Sequence, residues 1–169
     1  MNDSLVQSVL SKMIGYFKDD TQRINHALKV YSFARNISIF EYIPDEQIKI
    51  VEIASLLHDI GIKESEKKYG SSAGNYQELE GPPIASELLS EFSLPQKVIE
   101  RICQLIGNHH SYDKLSGIDF QILIEADFLV NIFEDKYTAS QIETVKNKYF
   151  KTKTGLKYLT SMYPNQNIV

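Results

Sequence analysis

The sequence predicts an all-α domain, and three observations carry that expectation. Apolar residues recur at helical spacing along most of the chain. No segment alternates apolar and polar residues as a half-buried strand does. One Gly-, Pro- and Ser-rich stretch interrupts two blocks of helical pattern. At 169 residues the chain has the length of a single domain, 1–169, with one sizeable core. Six to eight helices in a compact bundle are expected.

The elements follow in order. Leu5, Val9, Met13 and Phe17 form a stripe that ends near Asp19 and Asp20. Asp20 and Thr21 are good capping residues for a second helix, whose apolar face carries Ile24, Leu28, Tyr31 and Ile37. Pro44 and Asp45 open a third, with Ile48, Val51, Ala54, Leu56 and Leu57, and Gly61 is placed to cap its C-terminus. From Glu64 to Pro83 the periodicity dissolves and the segment reads as a long loop. Helical spacing returns over Pro83–Phe92, Pro95–His109, Asp119–Asp135, Ala139–Phe150 and Gly155–Tyr163.

Composition narrows the function classes. Hydrophobic residues make up 43% and charged residues 24%, so the chain can bury a core. A net charge of −4 gives no basic footprint for duplex nucleic acid or an anionic membrane. Neither partner is expected. Cys103 is the one cysteine, so no internal disulfide forms and a cytoplasmic setting is expected. The first residues, MNDSLVQSVLSKMIGYF, lack the basic and apolar regions of a signal peptide. No run approaches the roughly 18 apolar residues that span a bilayer. A monomer and a homodimer both stay open.

The four histidines stand out because all lie on apolar faces or core-helix ends. His26 shares a face with Val30, Phe33 and Ile37. His58 shares one with Ala54 and Val51, and Asp59 follows it directly. His109 continues the face of Ile102 and Leu105, and His110 lies one turn after Ile106. Asp127 sits inside the apolar run ILIEADFLV. A lone buried histidine is usually a hydrogen-bonded core residue, and a lone buried carboxylate usually has a partner. One shared metal centre accounts for all of them together. His and carboxylate donors suit Fe, Mn, Zn, Ni or Co, as one or two ions.

The order His26, then His58-Asp59, then His109-His110, then Asp127 resembles the HD-domain superfamily of metal-dependent phosphohydrolases. RINHALKVYSFA, ASLLHDIG and ILIEADFL carry the resemblance, over roughly residues 20–135. SGIDF stands where the cyclic-dinucleotide branch has GYP, so the resemblance does not extend to that branch. It implies an all-α fold, with His26, His58, Asp59 and Asp127 as metal ligands. His109 and His110 look like the pair that serves a second ion. Gln77 stands where two-metal members carry a further histidine, and Glu78 or Glu80 is close enough in sequence to supply a carboxylate instead.

The activity implied is hydrolysis of a phosphate ester of a small molecule, a nucleotide being the expected substrate. Asp59, Lys63 and Glu80 are the candidate catalytic residues. Lys63, Arg23, Gln77 and Tyr76 are the candidate substrate contacts, and the Tyr69–Glu80 loop is a candidate lid. Lys67 and Lys68 read as surface charge. Two other readings stay open: a di-iron oxygenase with the same ligand pattern, and a non-catalytic metal- or nucleotide-binding module.

Overall fold

The computed structural model describes residues 3–164. Nine α-helices and no strand are found among them: α1 (Asp3–Phe17), α2 (Thr21–Phe40), α3 (Asp45–Leu57), α4 (Ile62–Tyr69), α5 (Gly74–Ser90), α6 (Gln96–Ile106), α7 (Ile118–Glu134), α8 (Ala139–Tyr149) and α9 (Lys153–Met162). None is long and apolar enough to cross a membrane.

The centre of the bundle is α2, α3 and α7 packed on one another. Their sequences explain why. α3 buries every residue from Ile50 to Leu57, and α7 buries every residue from Ile122 to Val130. A helix apolar all round belongs inside a fold. α2 is amphipathic by comparison and brings Ala27 and Ala34, small enough for close helix approach, to the shared core. α1 covers α3 and α2, α6 lies against α3 and α5, and α8 and α9 close the far side of α7.

Three local devices set the helix ends that matter. The Asp20 carboxylate accepts from the Arg23 amide and starts α2. The last turn of α3 ends on His58, so the His58-Asp59 pair falls where the chain leaves the core. The buried Glu125 of α7 accepts from the Lys151 and Thr152 amides and from the Thr152 hydroxyl, fixing the start of α9.

The segment expected as a long loop is mostly helical. α4 occupies 62–69, and α5 begins at Gly74 and continues through Pro82 and Pro83. Only 70–73 is irregular, so the expected lid is a helix start anchored to the core. Two prolines inside a helix break its bonding ladder at a cost of about 3 kcal/mol or more each. Burial of Gln77, Glu80, Gly81, Ala85 and Leu89 offsets that cost here.

Gly61 also differs from its expected role. It has φ −75° and begins α4 rather than capping α3 in a left-handed conformation. Its need for glycine is steric. A Cβ there would lie 2.6 Å from both the Gln77 carbonyl oxygen and the Gly81 nitrogen, so α5 passes directly over it. The left-handed cap belongs to Gly70, which ends α4 with φ +63°.

Candidate metal centre

The centre assembles from four places in the chain: the first turns of α2, the end of α3, the turn after α6, and the middle of α7. Three of the four histidines are oriented through Nδ1. His58 Nδ1 donates to the Ser55 carbonyl at 2.8 Å, and His109 Nδ1 donates to the Ile106 carbonyl at 2.7 Å. Both use the carbonyl three residues back, a partner that exists only because each ring closes a helix end. His26 Nδ1 donates to Glu134 Oε2 at 2.8 Å. With Nδ1 donating, the neutral ring presents a bare lone pair on Nε2, the state a metal ligand requires.

Those Nε2 atoms converge with two carboxylates. His26 Nε2 lies 3.2 Å from His58 Nε2 and 3.2 Å from Asp127 Oδ1. Asp59 Oδ2 lies 3.6 Å from His26 Nε2 and 3.4 Å from His58 Nε2, and Asp127 Oδ1 lies 3.6 Å from His58 Nε2. Donors held about 2.1 Å from one ion are roughly 3.0–3.4 Å apart, so this quartet has the spacing of a coordination shell.

The other Asp59 oxygen faces a second group. Asp59 Oδ1 is 3.4 Å from His109 Nε2, and the ligand atoms of Asp59, His109 and His110 lie within 4.8 Å of one another. His109 Nε2 is buried and lacks a hydrogen-bond partner. Leaving such an atom unpaired costs about 1–3 kcal/mol, a cost a bound cation removes. The residues present therefore fit a divalent ion, with Asp59 common to both groups.

The charges of the cluster are strongly mutual. Burial opposes charging of His26, but its hydrogen bond to Asp127 and the charges of Asp127 and Asp59 lift it to about 9. Burial works against ionised Asp59 and Asp127 too, yet the neighbouring histidines hold both below the ordinary carboxylate range. His110 goes the other way. Burial, then the adjacent His109 charge, pulls it down to about 4.

The remaining candidates separate. Gln77 reaches the centre: its amide nitrogen donates to the Ser72 carbonyl at 2.7 Å, turning Oε1 towards His110 Nε2 at 3.3 Å. Glu78 accepts from the His110 amide and the Ser111 hydroxyl, so it holds the histidine turn against α5. Glu80 is engaged elsewhere. Lys68 donates to it at 2.6 Å and the Tyr69 hydroxyl at 2.8 Å, which occupies both oxygens, while Lys68 itself stays exposed at the surface as expected. Lys63 donates to the Tyr16 carbonyl and lies over the Tyr16 ring, on α1 and outside the cleft lining. Tyr76 stacks on Tyr69 with ring centroids 4.2 Å apart. Arg23 lines the cleft but is bonded to Asp20 and Glu66.

A cleft of about 470 Å³ opens above the centre, with His26 and Asp59 on its floor. Its far wall holds Asn131, Glu134 and Asp135, residues the sequence reading passed over. The signal was there. Asn131 and Glu134 lie four and seven residues after Asp127, hence on its helical face.

Comparison with known proteins agrees with this arrangement. The HD domain model matches residues 23–143, and the chain belongs to that family. A crystal structure of a predicted HD superfamily hydrolase from an uncultured Thermotogales bacterium superposes with a TM-score of 0.68. It is 26% identical, over 94% of this chain and 84% of that one. No curated protein matches.

Proposed function

We propose that the protein is a metal-dependent phosphohydrolase acting on a phosphate ester of a small molecule. The observation that carries this reading is Asp59 at the junction of two donor groups, beneath an open polar cleft. The solved relative described as a hydrolase supports it. His26, His58, Asp59 and Asp127 would hold the first ion. Asp59, His109 and His110 would hold a second. Bound there, a divalent ion acidifies water and offsets charge on phosphoryl oxygens.

The chain's own contribution is positioning. The Ser55 and Ile106 carbonyls and Glu134 fix the three rings, so the donor atoms need little reorganisation. The Gln77 amide, itself held by Ser72, accepts from His110 Nε2 and keeps a proton at that atom. The narrower expectation of a nucleotide rests on the family resemblance, and the cleft wall favours a different alcohol, as argued below.

The test pairs metal analysis with phosphate release. Protein reconstituted with Mn, Fe, Co, Ni or Zn should release phosphate from p-nitrophenyl phosphate. Asp59→Ala should lose both bound metal and activity while remaining helical by circular dichroism. Full activity in that variant would sink the proposal. Oxygen uptake by iron-loaded protein, without phosphate release, would favour the oxygenase reading.

A further inference from the structure

We infer that the cleft selects a phosphomonoester whose alcohol is small and polyhydroxylated, and that it rejects nucleobases and second phosphates. This deepens the hydrolase reading and rests on it. The inference comes from what surrounds the floor. Among the described residues lining the cleft, no Phe or Tyr is present, and Ile62 is the one aliphatic side chain. Tyr69 and Tyr76, the aromatic pair nearest in sequence, stack on each other and lie outside the lining. A flat base would find no Phe or Tyr ring to stack on.

Charge points the same way. Arg23 and the floor histidine His26 are the basic residues of the lining, and Arg23 already donates to Asp20 at 2.7 Å and to Glu66 at 2.6 Å. Outside the floor the wall carries Asp20, Glu134 and Asp135. Metal ions answer the charge of one phosphoryl group. A second phosphate further along would meet carboxylates with no uncommitted cation in the lining.

The wall is also built against local preference. Glu134 and Asp135 sit at the C-terminal end of α7, where the helix dipole disfavours negative charge. Glu134 is explained by its bonds to His26 and Lys29. Asp135 has no side-chain hydrogen bond or ion pair among the described residues, and it lines the cleft together with Asn131 and Gln22. A carboxylate and two amides, with open acceptors and donors, are what a row of hydroxyl groups requires.

The experiment uses metal-loaded protein and a fixed panel. The panel holds a hexose monophosphate, glycerol phosphate, a nucleoside monophosphate, a nucleoside triphosphate, a hexose bisphosphate and p-nitrophenyl phosphate. The hydroxylated monophosphates should give the highest kcat/KM. Asp135→Asn, which relieves an unfavourable dipole contact and so should fold, should lower their kcat/KM relative to p-nitrophenyl phosphate. The drop should be about tenfold, through KM, as expected for a lost hydrogen bond to a charged group. Asp135→Lys should narrow the discrimination against the bisphosphate. Highest kcat/KM for either nucleotide, or an unchanged ratio in Asp135→Asn, overturns the inference while leaving the hydrolase reading intact. If no ester is hydrolysed, the hydrolase reading fails, and thermal shift decides the rest. Stabilisation by hexose monophosphate and not by the triphosphate supports the selectivity, and the reverse overturns it.

Discussion

A histidine in a core becomes a ligand through the atom that faces away from the site. His58 and His109 spend Nδ1 on carbonyls of their own helices, whereas His26 depends on Glu134, a side chain 108 residues away. The His26 position is therefore the one a single substitution can loosen. Glu134→Ala should weaken metal binding by about 10–100-fold, with Glu134→Gln, which keeps an acceptor oxygen, between it and the parent. Competition against a metallochromic chelator measures this, and equal affinity in all three proteins would refute the role. The clustered histidines and aspartates were legible in the sequence, because a polar group on an apolar face is anomalous at once. Glu134 was not, since a carboxylate near a helix end looks ordinary until its partner is known. The partners of Glu80 were hidden for a related reason: Lys68 and Tyr69 sit on a helix whose pattern is faint.

That faint helix is the clearest case at the level of elements. α4 buries only Ile62 and Ser65, so its eight residues carry almost no apolar periodicity. The start of α5 was masked by Pro82 and Pro83, which argue for a break on local grounds. Both helices form because they pack on each other, and the contact point is Gly61 beneath Gly81. Gly61→Ala sets a methyl group 2.6 Å from two backbone atoms, which cannot rotate aside as a side chain can. The expected cost is about 1–3 kcal/mol, in the range of overpacked cores. Urea denaturation reads it directly. The same displacement moves Gln77 away from His110, so a stability loss without any change at His110, followed by its ring NMR signals, would disprove the coupling. α1 to α3 and α6 to α8 were readable because each carries enough apolar residues to bury.

Taken as a whole, the molecule concentrates opposed charges at the meeting point of its helices, and this sets its response to pH. In metal-free protein His26 titrates at about 9, above its ordinary 6.5. It therefore stabilises the fold fully below about 6.5, and that contribution is lost as pH rises through 9. Asp59 and Asp127 are lowered from 3.8, so they stabilise above that value and cease to as pH falls through their folded values. His110, held down to about 4, costs stability as pH falls below its ordinary 6.5, so the metal-free fold should be most stable near pH 6.5. Metal binding needs deprotonated rings, so the rise in Tm on adding metal should grow from pH 6 to pH 9. A metal-induced shift that is flat or falling over that range would contradict the ligand set.

α7 carries Asp127 in its interior and the cleft wall in its last turn, which makes one rigid helix the measure of the substrate. At about 1.5 Å per residue, Asn131 lies roughly 6 Å and Asp135 roughly 12 Å along the axis from Asp127. That span accommodates a phosphoryl group and a chain of a few hydroxylated carbons. On the proposed reading, substrate reach and metal binding are set on the same helix two turns apart, so substitution at positions 131 and 135 should change reach without disturbing Asp127.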